Sequence, residues 1–279
     1  METKKQINSF LKVAINAATV GSDILLKGFG RKLKIKLKGP TDPVTERDLK
    51  SEKAIRKIIS KNFPDHSILA EEGDYVQGSS LYRWYIDPLD GTANYIHQNP
   101  YFAVSIGCAR VEPDKPPEML AGVVLAPVLR EMFWATKAGG AFSHRVIGEE
   151  AIKRKLKVSS VDNPIEAYAS VGHPYEFHQK PMEFLDPIKR LCRKLGGIRH
   201  NGSAALDLCA VAAGRSEAYF EANLKPWDVA AGIIIVNEAL GVVTDRAGAT
   251  YQLESGSELL ASNQALAKEF VAILNSEDK

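Results

Sequence analysis

Four acidic positions stand out because each falls where a strand ends or a helix begins. Glu71 follows the run Ser67-Ile68-Leu69-Ala70, Asp87 and Asp90 follow Arg83-Trp84-Tyr85-Ile86, and Asp228 opens a long apolar stretch. A carboxylate in the body of a strand is costly to bury unless it is paired. At strand ends such groups can converge in a crevice, where α/β folds bind ligands. In Ile86-Asp87-Pro88-Leu89-Asp90-Gly91-Thr92-Ala93-Asn94, Pro88 is expected to stop the strand and set a turn that aims both aspartates at one point. Gly91 admits close backbone approach, and Gly91-Thr92-Ala93 can open a helix whose free N–H groups suit a phosphate. Hard oxygen ligands select Mg²⁺ or Mn²⁺ over zinc. Phosphate, divalent ions and several carboxylates together read as phosphoryl chemistry. Taken singly, the same residues have plainer readings. Asp90-Gly91 could be a turn, and Asp228 after Pro226-Trp227 could be a helix N-cap.

The elements that must carry these acids are legible from periodicity. The chain has 279 residues, 45% hydrophobic and 25% charged, which is a globular composition for one large domain or two small ones. Its 36 basic and 34 acidic residues leave a formal charge of +2, too even to point to nucleic acid. Cys108, Cys192 and Cys209 are scattered and odd in number, so a reducing cytoplasm is expected rather than a disulfide framework. The polar run Met1 to Gln6 has no apolar segment of signal-peptide type behind it. The longest apolar stretch, near Val229 to Val236, is far short of a membrane span.

Residues 5–28 read as an amphipathic helix ended by Gly28 and Gly30, and the alternation from Arg31 to Lys38 as a strand with one wet face. Thr45 caps a second helix to about Lys61, with Asp48 three residues on. Strands are expected at 67–70, 83–86, 103–110, 121–125 and 131–135, then a turn at Gly139-Gly140. Further strands near 155–158, 167–171, 218–220, 242–244 and 258–261 alternate with helices over 181–195, 203–213, 228–240 and 264–274. Gly241 would be the glycine just past the third of these helices. The pattern predicts an α+β part over 1–145 and an α/β part over 146–279.

Glu71-Glu72-Gly73, the run Trp84 to Tyr95, and Pro226-Trp227-Asp228-Val229-Ala230-Ala231-Gly232 resemble, in order and spacing, three motifs of one family. That family is the inositol monophosphatases, within the magnesium-dependent, lithium-sensitive phosphatases. Asn201-Gly202-Ser203-Ala204-Ala205 and Glu221 resemble its substrate segment, and the likeness runs from about Ile7 to Val271. The resemblance implies an α+β fold, a layered α-β-α-β-α sandwich of the sugar-phosphatase type, with the site between its two parts. It implies that Glu71, Asp87 and the carbonyl of Leu89 hold one Mg²⁺ and that Asp87, Asp90 and Asp228 hold a second. A third would sit near Glu71 through waters, and Mn²⁺ could substitute. Glu71 with Thr92 would activate a water, and the N–H groups of Gly91 and Thr92 would take the phosphate. Gly202, Ser203, Ala204 and Glu221 would contact the alcohol. Thr45 and Asp48 would buttress the site, with Lys38 near it. The implied activity is hydrolysis of a small phosphate monoester, inositol 1-phosphate first. Fructose 1,6-bisphosphate, histidinol phosphate and 3′-phosphoadenosine 5′-phosphate are the alternatives, or an added docking role on a macromolecule. The implied state is a cytoplasmic homodimer.

Departures from the family pattern bear on the site. Ala93 stands where the family usually has threonine. Ala70 and Gly73 flank the first acidic pair, and Gly73 is expected to loosen the loop from Asp74 to Ser80. The stretch Ala167 to Tyr175 is the least family-like. Glu221 favours a polyol, since a carboxylate can accept two vicinal hydroxyls and repels a second phosphate. Arg199 and Lys225 lie close enough in sequence to offer cations. The six histidines sit at no metal-ligand spacing and read as surface or packing residues, His173 being the one to test for substrate contact. Trp84, Trp134 and Trp227 read as core.

Overall fold

Ile7, Phe10, Ala14, Ala17, Ala18 and Leu25 recur at helical spacing, and all are buried along α1 (Lys4–Leu26). The computed structural model describes residues 2–173, 179, 181–256 and 258–276. By length and composition, α1 is the one helix among the described residues that could cross a membrane. The apolar stripe of α1 joins a core cluster with Ile55, Ile59, Trp84 and Val123.

The strand expected from Arg31 to Lys38 shrinks to β1 (Ile35–Leu37), which pairs with β2 (Pro43–Thr45) in a separate ribbon. All three residues of β1 are exposed, so no core extends it. Thr45 then caps α2 (Glu46–Asn62). Its hydroxyl accepts from the Arg47 N–H at 3.0 Å, and Asp48 accepts from the Thr45 N–H at 3.0 Å.

Next come β3 (Ser67–Ala70), β4 (Tyr82–Asp90), α3 (Thr92–Ile96), β5 (Ala103–Arg110), β6 (Glu118–Ala126), β7 (Glu131–Thr136), β8 (Gly140–Ile147) and β9 (Glu150–Lys155). The seven strands β3 to β9 lie in sequence order, with β3 and β4 parallel and the others antiparallel. The hairpin β8–β9 replaces the strand expected at 155–158. Leu156 and Val158 leave the sheet and tuck into the core. β8 crosses 145/146, so the first sheet runs past that point.

The remaining elements are β10 (Tyr168–Val171), α4 (Pro181–Cys192), β11 (Gly197–Arg199), α5 (Ala204–Ala212), β12 (Ala218–Glu221), α6 (Pro226–Glu238), β13 (Val242–Asp245), β14 (Leu259–Ser262) and α7 (Ala267–Leu274). They give a five-stranded sheet in the order β11-β10-β12-β14-β13. Leu240, with φ of 67°, takes the left-handed position after α6, not Gly241. Gly241 is small for another reason: a Cβ there would lie 2.6 Å from Val236 Cγ1 and 2.9 Å from Val158 Cγ1.

The layers follow from which faces are apolar. α1 and α2 cover one face of the large sheet, α5 and α6 fill the space between the sheets, and α4 and α7 cover the far face of the small sheet. This is the α-β-α-β-α sandwich. Because α6 has a sheet on one side and α5 on another, its buried residues run all round it. The helix lies so close to β6 that a Cβ on Gly122 would stand 2.8 Å from Ala231 O and 2.9 Å from Ala231 Cα. Gly122→Ala should therefore destabilise the protein by about 1–3 kcal/mol. Urea unfolding measures this, and an unchanged midpoint would show that α6 can lift away freely.

Candidate active site

Asp87 and Asp90 are three residues apart, which on a regular strand would point them to opposite faces. Pro88 does not stop the strand, contrary to the expectation from sequence. β4 continues to Asp90 through a bulge: Asp87 pairs with Ser105 and Asp90 with Ala103, so three steps on β4 match two on β5. The extra residue re-aims the chain and brings both carboxyl groups to one side. Proline is tolerated there because a bulge does not need its N–H. Gly91 follows with φ of 89°, and a Cβ on it would lie 3.1 Å from the carbonyls of both Tyr101 and Gly202. Only glycine meets both demands. It caps α3, whose first N–H groups have no intrahelical partner.

Glu71, Asp87, Leu89, Asp90, Gly91, Thr92, Gly202, Ser203, Ala204, Glu221 and Asp228 all line one cleft of about 1170 Å³. The structure thus gathers every expected site residue. Each acid has its own hydrogen bonds. Asp87 accepts from the Leu89 N–H at 2.9 Å. Asp90 accepts from the Ser203 hydroxyl and from the N–H groups of Ala204 (3.2 Å) and Ala205 (2.9 Å), at the start of α5. Asp228 accepts from the Lys225 N–H at 2.8 Å. Glu71 and Glu72 both bind the Lys38 ammonium, at 2.7 and 2.8 Å. The Thr92 hydroxyl lies 3.1 Å from Asp48 Oδ1 and 3.0 Å from Leu89 O.

Electrostatics shows the acids crowding one another. Burial, then Glu71, Asp90 and Asp228, push Asp87 well above the usual carboxylate range. Burial, then Glu71, do the same to Asp228. Glu71 is pushed up to about 7 by burial, although Lys38 opposes this. Burial pushes Asp90 up to about 6, held back by its bonds to Ser203, Ala205 and Ala204. Lys38 is held up by its two glutamates despite its own burial. Among the described residues, Glu71 is the one of these four acids that pairs with a lysine, so the set lacks counter-charge, and small divalent cations fit it. Among the described residues no three acidic, imidazole or thiol groups already close on one point.

The first acidic loop is pinned rather than loosened. A Cβ on Gly73 would lie 2.6 Å from Glu52 Oε1 and 2.9 Å from Arg56 Nη2, so α2 side chains use the space. Glu52 accepts from the Glu72 N–H at 2.8 Å, and Arg56 donates to Asp74 O at 2.9 Å. Ile68 and Val76 exchange two backbone bonds of 2.9 Å each.

The wall of the cleft around Gly202 and Glu221 holds groups that sequence reasoning missed. Asp207 sits on the otherwise apolar α5 and accepts from Asn201 (2.7 Å) and the Tyr101 hydroxyl (2.9 Å). Burial pushes it up to about 7 against those donors. An acid inside an apolar helix was the available signal. His173 and His200 stack with centroids 4.6 Å apart and rings 15° from parallel, and both line the cleft. Nothing local links two histidines so distant in the chain. Trp227 also lines the cleft instead of joining the core. Trp84 is core, and its indole donates to His66 at 3.0 Å. The Arg199 guanidinium lies over the Tyr168 ring at 5.2 Å, while Lys225 does line the cleft. Pro174, Tyr175 and His178 lie outside the described residues.

A layered α+β sandwich whose cleft sets clustered carboxylates beside a helix N-terminus is the architecture of a metal-dependent phosphatase. The chain belongs to the inositol monophosphatase family, whose profile matches residues 6–279. The chain is a phosphoric monoester hydrolase of a family that is metal-dependent in general. An inositol-1-monophosphatase of Rhizobium meliloti is 34% identical over 264 residues, covering 94% of each chain. The Nus factor SuhB of Pasteurella multocida is 38% identical over 272 residues, covering 95% of each. The crystal structure of extragenic suppressor protein suhB from Bartonella henselae aligns with a TM-score of 0.86 at 33% identity, covering 97% of this chain and 100% of that one.

Proposed function

We propose that the protein hydrolyses small polyol phosphate monoesters with Mg²⁺, inositol 1-phosphate foremost, and works in the cytoplasm as a homodimer. The observation that carries the reading is the convergence of Glu71, Asp87, Asp90 and Asp228, from three separate segments, beside the opening of α3. All three cysteines are free, in keeping with a reducing compartment.

Glu71, Asp87 and the Leu89 carbonyl would hold one ion, and Asp87, Asp90 and Asp228 a second, with a third near Glu71. Bound there, Mg²⁺ neutralises a dianion that otherwise repels nucleophiles and makes a nucleophile available at neutral pH, which matters because uncatalysed monoester hydrolysis is among the slowest of reactions. The chain's own groups do the rest. The N–H groups of Gly91 and Thr92 bind phosphate oxygens through the opening of α3. Glu71 and the Thr92 hydroxyl orient the attacking water, and Asp48 holds Thr92 in place. Gly202, Ser203, Ala204 and Glu221 face the alcohol. Asp207 and Glu221 give that side carboxyl groups, which suit hydroxyls as hydrogen-bond partners.

Phosphate release from a panel of monoesters, with Mg²⁺, Mn²⁺ or EDTA, tests the reading. Inositol 1-phosphate should head the panel, and Li⁺ at roughly tens of millimolar should inhibit, as a hard cation competing weakly for oxygen ligands. No release from any ester with either metal would overturn it. A second reading, favoured by the name of the Pasteurella multocida relative, adds docking on a macromolecule. Asp90→Asn separates the two: a phenotype that survives loss of turnover belongs to docking.

A further inference from the structure

We propose that Tyr219 and Gly172 clamp Glu221 in one orientation and so set which alcohols the cleft accepts. The inference deepens the phosphatase reading and rests on it. Tyr219 and Glu221 are two apart on β12 and therefore share a face of the strand. Tyr219 packs in the core, fully buried, while Glu221 sits at the strand end and lines the cleft. The phenol hydroxyl donates to Glu221 Oε2. A buried hydroxyl is costly without a partner, and among the described residues Glu221 is the partner it has. A phenylalanine would fill the same apolar space without reaching the carboxyl.

Gly172 closes the other side. It continues from β10, and its N–H donates to Phe220 O at 3.0 Å. Its φ is not in the left-handed region, so its backbone does not require glycine. What requires it is space: a Cβ on residue 172 would overlap the Glu221 carboxyl. The group is thus held between a fixed donor and a bare stretch of backbone.

This trims the role expected for Glu221. One oxygen is engaged by Tyr219, and the other, Oε1, has no hydrogen-bond partner among the described residues. Burial pushes Glu221 up to about 8, against Tyr219 and with Asp90 and Asp207 adding. The clamped carboxyl presents Oε1 to the cleft and so reads a hydroxyl at a set position, with Oε2 already carrying one of its bonds. Tyr219 acts as a positioning residue, through Glu221.

The test compares inositol 1-phosphate with phenyl phosphate, which has no neighbouring hydroxyl to read. Tyr219→Phe should narrow the kcat/KM preference for inositol 1-phosphate about tenfold, the size of one hydrogen bond, with the loss falling on KM. Gly172→Ala should move the preference the same way. In a Glu221→Ala background, adding Tyr219→Phe should shift the preference less than about twofold, because its route of action is gone. Additive effects in that double variant, or an unchanged preference in both Tyr219→Phe and Gly172→Ala, would overturn the proposal. If the native protein with Mg²⁺ hydrolyses neither ester, the phosphatase reading has failed instead.

Discussion

Asp228→Asn should lower kcat by a factor of about 10³ or more and leave the protein folded. Asparagine can still accept the Lys225 N–H that Asp228 accepts at 2.8 Å, so the start of α6 keeps its cap. What goes is the charge. The metal-free variant should melt no lower than the native protein, because Asp228 is crowded by Glu71 and Asp90 and loses that repulsion. Asp87→Asn should behave alike, since its amide can still accept from the Leu89 N–H. Turnover and melting temperature measured together separate the roles. Normal turnover of Asp228→Asn would reduce the acid to a helix cap.

Stripped of divalent ions, the protein should lose stability as pH rises from about 5 to 8, by on the order of 10 °C in Tm. The sign follows from the raised carboxyl groups. Asp48 and Asp90 stand at about 6, Glu71 and Asp207 at about 7, and Glu221 at about 8, each raised mainly by burial. Between the unfolded carboxylate range and those values, the folded state holds more protons than the unfolded one. Stability is therefore greatest at the acid end of the window and falls as the groups ionise. Lys38 titrates above the window and does not alter the trend. Mg²⁺ should raise Tm more at pH 8 than at pH 5, because ionised acids bind it best. A Tm that stays flat in EDTA from pH 5 to 8 would show that these acids are not crowded in solution.

The features that proved legible are those written over a few neighbouring residues. The capping box at Thr45 and Asp48, the apolar stripe of α1 and Glu71 just past β3 all depend on neighbours within about a turn or a strand. The long acidic motifs were enough to name the family and the acids that line the cleft. The errors share one cause. The bulge at Pro88, the hairpin β8–β9, the left-handed Leu240 and the pinned Gly73 each depend on a partner strand, helix or side chain that is remote in the chain.

Residue types and local spacing were sufficient to dictate the helices, most strands and the identity of the charged groups, since propensity, capping and alternation act at short range. Packing alone settled that a bulge turns Asp87 and Asp90 one way, that His173 meets His200, and that Asp207 and Tyr219 stand behind the cleft wall. Those outcomes turn on burial and close contact between distant segments, and the energies that enforce them exist only once the two sheets have closed on α5 and α6.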